Sequence, residues 1–358
     1  MARALSSTLT LALLAASAPS QQEALASSSA DGRSYVMTSF TLASADLDRI
    51  DRGHVFTRTL PARESREIDT IGVVRLQASA EDYVARLRDI VHFKQDDAVL
   101  QIGVFSKSPT VDDMAGMTLD DADIRDLRDC RTGHCGIRLP APAIDRLRRD
   151  VDWKRPDAVQ RATADFRRML ADYTAEYLRS GPAVPMEYAD RSTPLNVARE
   201  FASLAASNQD DCREFPLLRR HLVEFPNGRA PDTSDILYWS KERVGRRSVV
   251  SITHLAISPA AGGPPVEYVI GSKQIYASHY FDASLGLTVL VADRSGSTPS
   301  TYLVYVNRSR LDVFGGMFGG VARAIISSRA RAVVSEQLTK LQRTVRSNDV
   351  NTTRTKLR

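Results

Sequence analysis

The chain has few cysteines and no long apolar run beyond its first residues. Only Cys130, Cys135 and Cys212 of its 358 residues are cysteines, which excludes a disulfide-rich scaffold. A membrane-spanning helix needs about 20 consecutive apolar residues, and no window after the N-terminus approaches that length. The sequence therefore predicts a chain that folds around its own core rather than inside a bilayer.

Signatures of common catalytic sites are absent as well. The sequence contains no Gly-x-Ser-x-Gly elbow, no His-Glu-x-x-His, no Gly-x-x-x-x-Gly-Lys-Ser/Thr and no dinucleotide fingerprint. The acidic residues Asp120, Asp121 and Asp123 lack the register of a calcium loop and are typical of a helix N-terminus. We therefore predict no cofactor and no metal site.

The charge of the chain gives only weak information about partners. The formal net charge is +5, and basic residues alternate with acidic ones along most of the chain. They form no stripe with interleaved aromatic residues, so we expect no nucleic-acid partner. Only residues 346–358 are locally basic. We interpret them as a solvated tail, with transient contact to a membrane surface as the alternative.

The N-terminal residues have the pattern of a processing signal. Arg3 precedes an apolar stretch at residues 5–16, and small residues follow at a spacing that suits cleavage before Gln21. Residues 1–20 are therefore predicted to be a signal peptide, and residues 21–33 a disordered lead. A retained N-terminal anchor is the alternative. The predicted location is outside the cytoplasm, in a periplasm or secreted.

Two of the cysteines are separated by a short loop with a glycine in it. In an exported protein disulfides persist, so we predict a Cys130–Cys135 disulfide. Free thiols, or a metal site that adds His134 and Cys212, are the alternatives. A disulfide that closes so short a loop removes little entropy from the unfolded chain, so it stabilises the fold little. We expect the bond to fix a local turn.

The spacing of apolar residues changes along the rest of the chain, and this change suggests its divisions. Pro156 opens a helix with apolar residues at helical spacing, and Gly181 ends it. After Pro231 the period falls from about 3.6 to about 2 residues, as in strands. The predicted divisions are residues 34–117 as the first part of an α+β domain, 118–230 as a helical insertion, 231–345 as a meander with a C-terminal helix, and 346–358 as a basic tail.

The last third of the chain predicts an antiparallel meander followed by one long helix. The predicted strands are residues 236–241, 248–257, 266–280, 286–292 and 302–307, joined by short turns. The helix is predicted for residues 317–343. Its predicted inward positions are Val321, Ile325, Ser328, Ala332, Ser335 and Leu338. Since several of these side chains are small, the helix either approaches the sheet closely or leaves a cavity beside it.

The order of elements resembles a known superfamily. It is similar to that of the START-like or helix-grip group, the polyketide cyclase (SRPBCC-type) superfamily. The elements that carry the resemblance are a strand at residues 71–76, a helix from Ala80, the meander at 236–307, and the last helix with its glycine-rich entry at 315–343. The resemblance implies an α+β fold in which a curved antiparallel sheet grips a long C-terminal helix, with an apolar pocket between them. Members bind lipids, sterols, quinones or aromatic polyketides, and only some are enzymes.

Candidate ligand-binding residues follow from the alternation in residues 271–282. One face of this segment is mostly apolar, so we predict that it points toward the pocket and carries His279 and Lys273 with it. The predicted ligand-binding residues are Lys273, Ile275, His279, Phe281, Leu287, Val289, Val304 and Ile325.

Three functions fit these observations. The first is an exported protein that binds a hydrophobic small molecule or lipid between its sheet and its last helix. The second is a cyclase or hydrolase-type enzyme, with His279, Tyr276, Asp282 and His254 as candidate catalytic residues. The third is a structural or protein-interaction module of the cell envelope that uses the insertion. The sequence does not predict an oligomeric state.

Overall fold

The computed structural model describes residues 31–184, 186–207, 215–314 and 319–356. The predicted signal peptide and Cys212 lie outside these ranges. Within them, no helix is both long enough and apolar enough to cross a membrane.

The described chain contains ten helices of the α type and ten strands. In chain order they are α1 (Gly32–Ser39), α2 (Ser44–Asp51), β1 (Phe56–Leu60), β2 (Glu67–Leu76), α3 (Ala80–Arg88), α4 (Ile90–Phe93), β3 (Val99–Val104), α5 (Asp121–Asp129), α6 (Ala141–Asp150), α7 (Ala158–Ser180), β4 (Glu187–Tyr188), β5 (Leu195–Asn196), α8 (Val197–Ser207), α9 (Pro216–Glu224), β6 (Ser234–Val244), β7 (Arg247–Pro259), β8 (Val266–Ala277), β9 (Phe281–Asp293), β10 (Ser300–Leu311) and α10 (Gly319–Lys356).

Eight of the strands form one antiparallel sheet in the order β1-β2-β10-β9-β8-β7-β6-β3. Strands β6 to β10 are the predicted meander; four of them are longer than predicted, whereas β8 ends at Ala277, three residues before its predicted end. The helices α5 to α9 interrupt the chain between β3 and β6. The predicted fold class is therefore confirmed: the protein is α+β, with a large antiparallel sheet against which a long C-terminal helix packs.

The two faces of the sheet are covered by different helices. Because strand side chains alternate, Val74, Leu303 and Leu290 point toward α10, α3 and α4. Their sequence neighbours Val73 and Val304 point the other way, into a core shared with α1, α2, α8 and α9. Helices α5 to α7 extend that second core over β6, β7 and β8. We call these surfaces the α10 face and the opposite face.

The inward side of α10 differs from the predicted one. Its contacts with the sheet come from the half-buried Ile326 and Ala330 and the buried Val334 and Leu338, spaced four residues apart. Of these four, only Leu338 was predicted. The predicted Ile325 is 50% exposed. The adjacent pairs Ile325-Ile326 and Val333-Val334 explain the difference, because only one residue of each pair can face the sheet. Helix α10 also extends to Lys356, past the predicted end.

Cys130 and Cys135 form a disulfide, as predicted, at the end of α5. Between them, the backbones of Arg131 and His134 pair with each other, and His134 also pairs with Arg191. Gly133 has a φ of +83°, which a glycine adopts without strain. The bond thus fixes a local turn within the insertion.

We expect Gly72→Ala to loosen α10. A Cβ at Gly72 would lie 2.6 Å from Cδ1 of Leu338 and 2.7 Å from Cγ1 of Val334, so these side chains or the helix that carries them must shift. Overpacking of this kind costs about 1–3 kcal/mol. Urea denaturation measures the change. Gly116→Ala is the control, because nothing lies within 4 Å of a Cβ there. Equal stability of both variants and the native protein would contradict the close packing of α10 on β2.

Candidate functional site

A cavity of about 620 Å³ lies between α10, the α3–α4 segment and the α10 face of the sheet. Its apolar wall comes from three separate parts of the chain. The helix α3 and the short α4 contribute Tyr83, Leu87, Ile90 and Phe93; the sheet contributes Leu255, Ile270 and Leu303; and α10 contributes Val334, Leu338 and Leu341.

Local sequence signals position the helical wall of the cavity. Ser79 and Asp82 form a capping box that starts α3, with the Ser79 side chain accepting a hydrogen bond from the backbone of Asp82. Helical spacing then directs Tyr83 and Leu87 toward the sheet. The rings of Tyr83 and Phe93 meet edge to face at 5.5 Å, which fixes α4 against α3.

One ion pair lies in the polar part of the cavity. Nζ of Lys94 is 2.8 Å from Oε1 of Glu242 and 5.5 Å from the ring centre of Tyr238. Burial lowers the pKa of Lys94, but the phenol of Tyr238 and the carboxylate of Glu242 together outweigh burial and hold that pKa above its ordinary value. Lys94 is therefore cationic, and Glu242 balances its charge.

Most other charges on the cavity wall are also paired. Lys340 lies 2.9 Å from Asp96, and His92 lies 2.7 Å from Asp89. Arg86 also lines the cavity, and the described part of the chain offers it no carboxylate partner. Within the cavity, Arg86 is thus the candidate for pairing with an anion.

Several predicted ligand-binding residues lie on the opposite face. Leu287, Val289 and Val304 are buried in the core beneath α8 and α9, and Ile275 is buried under α7. The space described there is small: a pocket of about 10 Å³ touches Leu287. These four residues do not line the cavity beside α10. In β9 and β10 both faces carry apolar residues, such as Val289 beside Leu290 and Leu303 beside Val304, so the pattern did not identify the face that carries the cavity.

Lys273 was also predicted to face the pocket, and it is buried under α9 instead. Its ammonium donates a hydrogen bond to the backbone oxygen of Leu222 at 2.8 Å. It also lies 4.8 Å from the ring centre of Phe201 and 5.2 Å from that of Tyr177. Burial lowers the pKa of Lys273 to about 7. A backbone carbonyl and two aromatic faces therefore replace the carboxylate that a buried lysine usually requires.

His279 and Phe281 lie at the turn between β8 and β9. Strand β8 ends at Ala277, so His279 belongs to the turn, where Tyr280 has a φ of +65°. Nε2 of His279 is 2.9 Å from Oδ1 of Asp123 in α5. Phe281 belongs to a small apolar cluster around Ile68 and Leu311, to which Ile326 of α10 also belongs, and it does not line the cavity.

His254 belongs to a buried cluster with His221 and Asp235. Nε2 of His221 is 2.7 Å from Oδ1 of Asp235, and Nε2 of His254 is 2.9 Å from the same oxygen. Tyr177 bonds Nδ1 of His254 at 2.9 Å. Burial lowers the pKa of His254 despite the nearby carboxylate. Two neutral rings that donate to one carboxylate give a closed hydrogen-bond network between α9, β6 and β7.

The same cluster has the composition of a metal site, but its hydrogen bonds do not fit one. The backbone N–H of Ala230 donates to Nδ1 of His221 at 3.1 Å, so that nitrogen carries no proton. The proton of the neutral ring then lies on Nε2, the atom that faces Asp235. A metal ion at that position would require an imidazolate.

A second such cluster joins His279 to Asp123 and Asp126. Here the guanidinium of Arg247 already bonds Asp126 and lies 3.5 Å from Asp123. An arginine side chain thus supplies the positive charge that the two carboxylates require, and the cluster ties β7 to α5.

The four candidate catalytic residues do not meet in one cavity. His254 bonds Asp235, and His279 bonds Asp123. Tyr276 donates to the backbone oxygen of Arg138, whose guanidinium bonds Asp282 at 2.7 Å. In the described chain, none of the four lines the cavity beside α10. Their proposed role in catalysis stays a prediction.

Comparison of the chain with protein-family models, with curated proteins and with solved structures gives no match. The function therefore has to be inferred from the side chains that the fold brings together.

We expect Lys273 to make stability depend on pH. Its folded pKa of about 7 lies below the ordinary 10.5, so above pH 7 the unfolded chain binds a proton that the folded protein lacks. The free energy of unfolding then rises with pH, by up to about 1.4 kcal/mol per unit between pH 7 and 10. Lys273→Met removes this rise, which urea denaturation at several pH values measures.

The exposed lysine Lys340 gives the matched control for this measurement. Lys340→Met removes a lysine that is not buried, so its stability curve should follow that of the native protein. If the free energy of unfolding of Lys273→Met changes with pH in parallel with that of the native protein, Lys273 is charged in the folded protein and the argument from burial is wrong.

Proposed function

We propose that this protein binds an amphipathic small molecule, with the apolar part of the ligand in the cavity between the α10 face of the sheet and α10. The cavity of about 620 Å³ carries this proposal. Its volume falls in the range of about 300–1,000 Å³ that is typical of small-molecule sites. A lipid-like chain or a fused-ring compound has this size and polarity.

The composition of the cavity wall supports an apolar ligand. Leu87, Ile270, Leu303 and Leu338 come from elements far apart in the sequence, yet they line one space. Apolar side chains around an empty space lose the contacts that a close-packed core supplies. An apolar ligand restores those contacts, so the cavity favours such a ligand over bulk water.

The resemblance to the helix-grip group is consistent with this proposal. In that arrangement the ligand also lies between an antiparallel sheet and the last helix. Helices α3 and α4 face the C-terminal half of α10 at Leu338 and Leu341, so we propose the site there. The site is therefore proposed from its own side chains, and the resemblance supports its position.

We propose further that the protein acts outside the cytoplasm. The apolar stretch at residues 5–16 and the small residues after it have the pattern of an export signal. The Cys130–Cys135 disulfide is of a kind that persists in oxidising compartments. An extracytoplasmic binder of hydrophobic molecules would carry its ligand through an aqueous compartment.

Filling the cavity should abolish binding of an apolar ligand. In Leu341→Trp the indole occupies space beside Leu338, so we expect the dissociation constant of the neutral fluorescent probe 1-N-phenylnaphthylamine to rise at least tenfold. Val333→Trp is the matched control, because Val333 is on the same helix but 51% exposed. Fluorescence titration measures both constants.

Two outcomes would contradict the proposed function. One is that the native protein does not bind the probe. The other is that both tryptophan variants bind it equally well, which would place the probe elsewhere. Thermal denaturation of each variant checks that the fold is retained.

A further inference from the structure

The floor of the cavity continues into a patch of uncharged polar side chains on the α10 face. We call this patch the neutral polar strip. Its members come from three neighbouring strands and are Ser272 of β8, Ser284 and Thr288 of β9, and Tyr305, Asn307 and Ser309 of β10. Ser272, Thr288 and Tyr305 also line the cavity.

Strand register arranges the strip around a glycine. Gly286 lies opposite Ser272 on one side and Asn307 on the other, while Ser284 and Thr288 flank it along β9. A Cβ at Gly286 would lie 2.2 Å from Oγ of Ser272, so the hydroxyl leans into the space where a side chain would be. A glycine inside a strand often marks the close approach of another group. Here it leaves a shallow depression with polar groups on every side.

The hydrogen bonds of the strip run in one direction. Ser309 donates to Oδ1 of Asn307 at 3.0 Å, so its contact with Ser284 at 2.9 Å must be donated by Ser284. Nδ2 of Asn307 in turn donates to the oxygen of Tyr305 at 3.3 Å. The chain therefore ends on the O–H of Tyr305, which remains able to donate toward the cavity. Each bond in such a chain strengthens the next.

Other groups of the strip remain available to a ligand. Over the described ranges, the hydroxyls of Ser272 and Thr288 form no hydrogen bond within the protein. Each can both donate and accept. The strip carries no charge, and Lys94 and Glu242, which both act electrostatically on Tyr305, neutralise each other at 2.8 Å. A neutral partner with several hydroxyls matches these groups, whereas an anion finds no counter-charge on the strip.

We propose that the polar part of the ligand is an uncharged polyhydroxyl group, such as a hexose, and that it binds on the neutral polar strip around Gly286. This inference rests on the proposed function and specifies its ligand class as glycolipid-like. Strands are roughly 4.8 Å apart and rise about 3.3 Å per residue, so the strip measures roughly 10 by 13 Å, enough for one or two sugar rings.

Competition between ligands that share an octyl chain but differ in their head group tests which head group the site prefers. The native protein with bound 1-N-phenylnaphthylamine is titrated with octyl β-glucoside, 1-octanol or octyl phosphate. Each competitor is kept below its critical micelle concentration. We expect octyl β-glucoside to displace the probe at a concentration at least tenfold lower than either of the others. In Tyr305→Phe/Thr288→Val this advantage of the glucoside over 1-octanol should fall below threefold.

Tyr268→Phe is the matched control, because Tyr268 lies on β8 outside the cavity and bonds Glu81 at the surface. This variant should keep the full preference for the glucoside. Equal displacement by glucoside and octanol would overturn the sugar proposal and leave the apolar site intact. Best displacement by octyl phosphate, lost in Arg86→Gln, would also overturn it in favour of an anionic head group. Failure of the native protein to bind the probe would instead reject the proposed function itself.

Discussion

The width of the sheet constrains everything built around it. Eight strands at roughly 4.8 Å span about 34 Å, whereas one helix with its side chains covers about 10–12 Å. Both faces carry buried side chains, so each needs several helices to exclude water. The opposite face has them in α1, α2 and α5 to α9. Among the helices of the described ranges, the α10 face is covered by α10 and the α3–α4 segment alone. An incompletely covered face is the physical origin of the cavity.

Because helices cover the opposite face more completely than the α10 face, the polar side chains of the two faces differ in how they are paired. On the more completely covered face, charged and imidazole side chains are enclosed and paired with one another: Arg310 bonds Glu67, Arg308 bonds Asp69, and His221 and His254 share Asp235. Removal of one partner from such a network leaves an uncompensated buried group. We interpret these networks as structural. On the α10 face, by contrast, hydroxyls such as that of Thr288 remain free to bind a ligand.

The sequence was informative about elements and much less so about faces. Long runs with period two gave all five meander strands, and Gly181 correctly ended α7 because its φ of +58° suits a glycine. The site residues could not be assigned in the same way. Val304 and Leu303 are equally apolar, and only the position of α10 decides which one meets the cavity.

A signal for the cavity wall was nevertheless present. The helix from Ala80 was predicted from the sequence, but the elements that it meets in space were not. Helices α3 and α10 line the same cavity with residues more than two hundred positions apart in the chain, and no local pattern encodes this proximity. Adjacent apolar pairs such as Val333-Val334 likewise left the rotation of α10 undetermined.

An anomalous-scattering crystal structure with 12-bromododecanol tests the central claim most directly. The account predicts a bromine peak in the space bounded by Leu87, Ile270, Leu303 and Leu338, on the α10 face of the sheet. A peak among the helices of the opposite face, or no peak at saturating ligand, would contradict it.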